Sequence, residues 1–197
     1  MLKVASLCIL AAAVLAVADP TVYLIRHGEK PDDGDGLSSQ GLERAQCLRS
    51  VFGSSSSYNI GHIMAQTPQS GNIFPNNTIT DLCHFKNFMY LTKRTDGSRQ
   101  RPYDTVEPLA GDLGLTVDTS CDRDDPGCVK DVVDGYTGSG NILICWEHDA
   151  LTDIVDKLGD DDAPDYPDDS FNIIWTDPSP YDDITSKTSE NCPGLDD

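Results

Sequence analysis

Residues 21–31 read Thr21-Val22-Tyr23-Leu24-Ile25-Arg26-His27-Gly28-Glu29-Lys30-Pro31, a short apolar run that stops at an arginine, a histidine and a glycine. The apolar part is rich in β-branched and aromatic residues and lacks the alternation of a half-exposed strand, which predicts a parallel strand buried on both faces. Ligands of open α/β sheets bind outside the carboxyl ends of the strands, so Arg26 and His27 are expected at a binding edge, where Gly28 permits close approach to an anion. A basic pair at this edge indicates a phosphate.

A second stretch repeats this design. Residues 141–149, Asn-Ile-Leu-Ile-Cys-Trp-Glu-His-Asp, form another apolar run that ends at a histidine, His148. A helical pattern follows over residues 150–158, and Gly159 stops it. If both runs are parallel strands of one sheet, His27 and His148 lie on the same edge.

These stretches resemble the histidine phosphatase superfamily, the phosphoglycerate mutase-like group that also contains the histidine acid phosphatases. Arg-His-Gly-Glu at 26–29, followed by Lys-Pro, is similar to the first motif of the family, and residues 37–52 are similar to the helix that follows it. Arg101 with Thr105 four residues later resembles the second arginine and threonine at a helix start, and His148 resembles the second histidine. The resemblance implies a three-layer α/β/α sandwich with a mostly parallel central sheet.

The resemblance also implies the chemistry. His27 would attack phosphorus to give a phosphohistidine that water hydrolyses, while Arg26, Arg101 and His148 hold the phosphate oxygens. These residue types suit the task, because phosphoryl transfer depends on positioning and charge neutralisation and a guanidinium grips two phosphate oxygens at once. The attacking nitrogen must be unprotonated, so the other ring nitrogen is expected to donate to a carbonyl or carboxylate. No cofactor and no metal is expected.

The leaving alkoxide needs a proton, and the sequence leaves its source open. Asp149, directly after His148, resembles the aspartate donor of the acid phosphatase branch. An aspartate before a periodic segment is equally typical of a helix N-cap. Smaller phosphoglycerate mutase-like members take a glutamate from a different loop. The rival carboxylates are Glu147, Glu107, Asp122, Asp124 and Asp125.

Residues 1–18 are typical of a secretory signal peptide, with Lys3 near the start, an apolar core and small residues at Ala16 and Ala18. The segment is too short to span a membrane. The sequence therefore predicts a secreted, extracellular protein without a membrane span, with one phosphatase-like domain over residues 19–197.

The chain is strongly acidic, with 14 lysines and arginines against 33 aspartates and glutamates and a formal charge of -19. Nucleic-acid and anionic-membrane binding need basic surfaces, so neither partner is expected. The expected partner is a small phosphorylated substrate or inorganic phosphate, and no oligomeric state is favoured. We expect an acidic pH optimum, because the donor must be protonated while the attacking histidine is not.

Secretion and an even number of cysteines beyond the signal peptide predict up to three disulfides. Cys121 and Cys128 flank an acidic turn and could form a local pair, and Cys192 is expected to anchor the tail. The other candidates are Cys47, Cys83 and Cys145. No CxxC pair or close Cys/His spacing supports a zinc site.

The first helix is expected to begin at a Ser38 or Ser39 cap. Its apolar spacing predicts one buried face, made of Leu42, Ala45, Leu48 and Phe52. Further predicted elements are a strand at 61–66, a helix at 103–113 that begins after Pro102 and ends at Gly114, and a short strand at 115–117.

The remaining segments are less regular. Residues 67–99 are read as a long insertion near the pocket, with a glycosylation sequon at Asn76. The aspartates at 160–169 lack EF-hand spacing and are expected to form a solvated loop rather than a calcium site. Residues 171–175 are read as a last strand that could lie at the sheet edge, before an irregular tail at 177–197.

The pattern as a whole predicts a secreted phosphomonoesterase that works through a phosphohistidine. Two alternatives remain. A phosphomutase would move phosphate within one substrate, but such chemistry suits cytosolic metabolites, and the signal peptide weighs against it. A secreted binding protein could also keep the fold without turnover.

Overall fold

The computed structural model describes residues 19–69 and 99–196. The predicted signal peptide, nearly all of the predicted insertion, the sequon at Asn76 and Cys83 lie outside the described residues. No helix among the described residues has the length and apolar character needed to cross a membrane.

A six-stranded sheet forms the centre of the molecule. Its strands are β1 (Val22–Arg26), β2 (Ile60–Ala65), β3 (Val117–Asp118), β4 (Asn141–Trp146), β5 (Ile173–Asp177) and β6 (Ser186–Ser189). The helices are α1 (Ser39–Val51), α2 (Arg101–Leu113), α3 (Pro126–Gly135) and α4 (His148–Leu158). The strand order is β3-β2-β4-β1-β5-β6; the first four are mutually parallel, and β5 and β6 are antiparallel to their neighbours.

The two faces of the sheet bury separate apolar cores. Leu24 and Trp146 pack in the core shared with α3 and α4. Ile25 and Leu143 pack in the core shared with α1 and α2. Helices therefore cover both faces, which explains the continuous apolar runs of β1 and β4. The predicted three-layer α/β/α sandwich with a mostly parallel sheet is confirmed.

Helix α1 begins where the sequence predicted, because the Ser38 side chain accepts a hydrogen bond from the Gly41 amide at 3.1 Å. The prediction that Leu42 is buried is wrong, since this side chain is 57% exposed. Arg44 is buried instead, at 1% exposure. Apolar spacing could not show this exchange, because the burial of Arg44 depends on carboxylates from distant parts of the chain.

The C-terminal part also corrects the sequence reading. β5 is not the edge strand, because it lies between β1 and β6. The tail predicted as irregular contains β6, a polar strand of four residues that pairs with β5. Its sequence, Ser-Lys-Thr-Ser, carries no apolar alternation, so only its pairing partner makes it a strand.

Two disulfides are present among the described residues. Cys121 and Cys128 form the predicted local pair. Cys192 anchors the tail, as predicted, and its partner is Cys47, 145 residues earlier in the chain. Cys145 was a candidate, but it is a free thiol, fully buried in β4 within the apolar core. Its side chain serves as a small core residue there.

Candidate active site

His27 and His148 follow neighbouring parallel strands. Arg26 at the end of β1 pairs with Trp146 at the end of β4, and the His27 amide donates to the Trp146 carbonyl at 3.1 Å. The two histidines therefore leave the sheet at one edge, as predicted from parallel pairing of the two strands.

The His27 ring is held as one neutral tautomer. Its Nδ1 lies 2.7 Å from the Gly28 carbonyl, which can only accept, so Nδ1 carries the proton and Nε2 keeps its lone pair. The pKa of His27 is lowered to about 4, chiefly by burial; the charges of Arg26 and Arg101 act in the same direction, and the hydrogen bond to Gly28 opposes them. Above that pH, Nε2 is available as a nucleophile.

The loop after His27 rests on the first turns of two helices. The Gly28 amide donates to Thr105 Oγ1 at 2.9 Å, and that hydroxyl donates to the Arg101 carbonyl at 2.7 Å. A Cβ on Gly28 would lie 2.9 Å from the carbonyl oxygen of Gly41, too close to fit. The Arg101/Thr105 spacing thus puts a hydroxyl one turn below the arginine, where it fixes the loop that carries His27.

A cavity of about 190 Å³ opens at this edge. Its lining residues are His27, Asp35, Gln66, Arg99, Arg101, Pro102 and Glu147. Arg101 is oriented by two loop carbonyls, with Nε 3.1 Å from the Gly36 oxygen and Nη2 3.1 Å from the Gly34 oxygen. The cavity therefore brings His27 together with the guanidinium groups of Arg99 and Arg101. Sequence reasoning named Arg101 and missed Arg99 and Gln66, which belong to no recognisable motif.

Arg26 is buried beside His27 and only partly satisfied. Its Nη1 donates to the carbonyls of Asp168 at 2.6 Å and Ser170 at 2.9 Å, and its guanidinium lies 3.9 Å from the centre of the Phe171 ring. Its Nε has no acceptor in the described part of the chain. A buried charged donor without an acceptor favours an anion at this position.

His148, the first residue of α4, is placed by two carboxylates. Its Nε2 lies 2.9 Å from Asp149 Oδ1 and 3.2 Å from Asp168 Oδ1. Its Nδ1 is buried and has no partner among the described residues. This histidine therefore leaves a second unsatisfied nitrogen at the edge that carries His27.

The side chains of His148, Asp149 and Asp168 offer possible metal-ligand atoms within 4.8 Å of one another. Asp149 and Asp168 are both exposed, and their distances to His148 are those of ordinary hydrogen bonds. We assign no metal to this cluster.

The structure separates the candidate proton donors. Asp149 is not an N-cap, because Glu147 occupies the cap position and Asp149 lies in the first turn of α4. Its side chain is 60% exposed and contacts His148 and, at 3.6 Å, Arg123. Glu147 lines the cavity with His27; its amide donates to Gln66 Oε1 at 3.1 Å, and its carboxylate contacts Arg123 Nε.

The other rival carboxylates lie outside the cavity lining. Asp122 and Asp124 bind Arg99, and Asp125 caps α3 by accepting from the Cys128 amide at 3.0 Å. Glu107 lies on α2, where its charge acts on Tyr103 and raises the pKa of that side chain in addition to the effect of burial. None of these four lines the cavity.

Arg123 is a residue that sequence reasoning missed. The Cys121–Cys128 disulfide closes its loop, and its carbonyl accepts from Trp146 Nε1 at 3.1 Å. Its guanidinium contacts both Glu147 and Asp149. An arginine among aspartates is typical of a solvated turn, so no sequence signal indicated that Arg123 lies near the site.

A buried ion network joins the loop after His27 to the C-terminal tail. Arg44 Nε lies 3.0 Å from Glu29, its Nη1 lies 2.5 Å from Glu190, and its Nη2 lies 2.9 Å from Asp196. Cys47, on the same helix, holds Cys192 of the tail. Glu29 follows Gly28 directly, so this network fixes the far side of the loop that carries His27.

Comparisons with known proteins add little. No family model matches the chain, and no curated protein matches it. Among solved structures, the chain is similar to that of the protein histidine phosphatase SixA complexed with tungstate, with 12% sequence identity and a TM-score of 0.48 over 86% of this chain and 97% of that chain. A likeness at this level concerns the fold and carries no argument about the reaction.

Proposed function

We propose that the protein is a secreted phosphomonoesterase that forms a phosphohistidine on His27. One observation carries the proposal. A neutral histidine with a free Nε2 lies at an edge where two buried nitrogens, Arg26 Nε and His148 Nδ1, lack protein partners. A phosphate supplies the electrophile for His27 Nε2, an acceptor oxygen for Arg26 Nε and, for the doubly protonated form of His148, an acceptor oxygen for its Nδ1.

The reaction then runs in two steps. His27 Nε2 attacks phosphorus, the bond between phosphorus and the ester oxygen breaks, and a carboxylic acid gives its proton to the leaving oxygen. Water next attacks the phosphorus of the phosphohistidine while the same carboxylate takes a proton, which releases phosphate and restores His27. Arg26, Arg101 and His148 hold the phosphate oxygens. Arg99 lines the same cavity, but its charge is balanced by Asp122 and Asp124.

Glu147 fits the role of proton donor better than Asp149. Glu147 shares the cavity with His27, whereas Asp149 is more exposed and contacts His148. Arg123 holds the Glu147 carboxylate, and Gln66 holds its backbone amide. Arg123 is thus a positioning residue in this scheme.

Replacing Glu147 by glutamine should slow hydrolysis in a way that depends on the leaving group. For an alkyl phosphate, whose alkoxide needs a proton, kcat should fall by about 10²- to 10⁴-fold. For p-nitrophenyl phosphate, whose phenolate leaves unprotonated, kcat should change little. Steady-state kinetics on the two esters measures the difference.

Asp149→Asn is the matched control, because it removes a neighbouring carboxylate on the same helix turn. Its effect should be small and similar for both esters. If Asp149→Asn shows the leaving-group-dependent loss and Glu147→Gln does not, the donor is Asp149.

The intermediate itself tests the function. Mixing the protein with an alkyl [³²P]phosphate and quenching in alkali within milliseconds should leave label on the polypeptide. A phosphoramidate on histidine is stable to alkali and is lost in acid, unlike a phosphoserine ester. Turnover without labelled protein would contradict the phosphohistidine. If neither turnover nor label is detected, the result would favour the alternative of a binding protein without turnover.

Secretion is the remaining part of the proposal. The two disulfides support it, because such bonds persist in oxidising compartments. The acidic composition suits a soluble extracellular domain that works in acid, where many surface carboxylates are neutral.

A further inference from the structure

A buried carboxylate at the other end of the strands, away from the candidate active site, has no part in this chemistry. Asp177 ends β5 and pairs with Val22, the first residue of β1, so it lies at the far end of β1 from His27. Asp177 has 0% exposure. Neither of its carboxylate oxygens has a hydrogen-bond partner among the described residues. Such a group is costly unless a proton or a cation neutralises it.

The groups around Asp177 are acidic. Asp160, itself buried, follows α4, and Asp182 and Asp183 lie in the loop after β5. Burial, together with the charges of these three aspartates, raises the pKa of Asp177 to about 7. No positively charged side chain contributes to this shift.

The neighbouring titratable groups do not neutralise this cluster. Tyr181, whose hydroxyl donates to the Pro20 carbonyl at 2.8 Å, has its pKa raised to about 12 by burial and by the charges of Asp19, Asp177 and Asp134. On α3, Lys130 is engaged by Asp134 at 3.2 Å and by the Leu158 carbonyl at 3.3 Å.

Backbone oxygens face the same region. A Cβ placed on Gly159, at the end of α4, would lie 2.9 Å from the Tyr181 carbonyl oxygen and 3.6 Å from that of Pro180. The loop after β5 therefore turns carbonyls toward the end of α4. The C-terminal end of a helix carries partial negative charge as well. The region thus presents carboxylate oxygens, carbonyl oxygens and a negative helix end.

We propose that Asp177 and the oxygens around it bind a divalent cation, with Ca²⁺ as the best fit. Calcium accepts carboxylates, backbone carbonyls and water in flexible geometry. That tolerance matters because, among the described residues, Asp177 belongs to no group of three His, Cys, Asp or Glu side chains within 4.8 Å of one another. Backbone carbonyls and water would therefore have to complete the coordination shell. The sequence predicts a solvated acidic loop at 160–169, but the burial of Asp160 separates that residue from the exposed part of the loop.

Thermal unfolding at pH 8 tests the site without any reference to catalysis. Calcium raised to about 10 mM, above the dissociation constants typical of extracellular calcium modules, should raise the Tm of the intact protein by several degrees over its value in EDTA. Asp177→Asn should remove this shift and, because the amide ends the repulsion, raise the Tm in EDTA. Asp161 is an exposed neighbour of Asp160 in the loop after α4, so Asp161→Asn should keep the full shift.

The pH dependence separates a cation from a proton. The folded-state pKa of Asp177 is raised, so the stability that its protonation provides is present below about pH 4 and is lost as the pH rises through about 7. The calcium-dependent rise should therefore be large at pH 8 and small at pH 5. Isothermal titration at pH 8 should show one site per chain, and Asp160→Asn should weaken it if Asp177→Asn does not fold. An unchanged Tm of the wild-type protein in calcium, or a full shift in Asp177→Asn or Asp160→Asn, would overturn the proposal.

Discussion

Replacing His27 by alanine should abolish hydrolysis of a chromogenic phosphate ester, with kcat/KM falling by at least about 10³-fold. The size of the loss follows from the role of the residue, because the covalent intermediate cannot form without its Nε2. His27 is buried, yet within the described part of the chain its ring makes one hydrogen bond, to the adjacent Gly28 carbonyl. The variant should therefore fold, which far-UV circular dichroism and its Tm can check.

His62→Ala provides a matched control. His62 is a partly buried histidine that pairs with Asp118 at 3.2 Å, across β2 and β3. The cavity that contains His27 does not include it. Its loss should leave kcat/KM unchanged, and an equal loss in both variants would show that damage to the fold, not to the nucleophile, explains the result.

The pH profile of the wild-type protein adds a second readout of the same residue. Because burial lowers the pKa of His27 to about 4, the fall of kcat/KM on the acid side should occur near that pH, where the ring takes a proton. The fall on the alkaline side should instead follow the loss of the donor's proton. An activity that already declines from pH 7 to pH 6 would indicate a protonated, solvated ring and would contradict the geometry.

Replacing Arg44 by leucine should lower the free energy of unfolding by about 3–5 kcal/mol, the cost typical of breaking a buried ion pair from one side. The substitution leaves three poorly solvated carboxylates, Glu29, Glu190 and Asp196, without their shared cation. Urea denaturation at pH 7 measures the loss. Activity should also fall, because Glu29 adjoins the loop that carries His27.

Arg49→Leu is the control on the same helix. Arg49 pairs with Asp112 at 2.6 Å, but both side chains are 42% exposed, and exposed ion pairs contribute little. Equal losses in the two variants would show that the buried network does not hold the tail.

The loss in Arg44→Leu should also depend on pH. Burial raises the pKa of Glu190, while Arg44 opposes the rise. Without Arg44, acid should therefore return part of the lost stability by neutralising Glu190.

Local patterns in the sequence were sufficient for much of the fold. The apolar runs before Arg26 and His148 predicted two buried parallel strands, and the structure pairs them in register. The Ser38 cap and the Gly114 stop were also visible, because capping depends on side chains within one helical turn. Helix α3 has similar local signals in Asp125 and Pro126, but the acidic turn around them obscured its start.

The sequence by itself determined the two strands and helices that bring His27, Arg101 and His148 to one edge, since hydrophobic periodicity and capping act over a few residues. Only the tertiary structure decided which charges are buried and what they contact. Arg44 meets Glu190 across 146 positions, and β6 exists because it pairs with β5. Ion pairs and strand partners of this kind depend on chain segments that meet only after folding, and no local pattern encodes them.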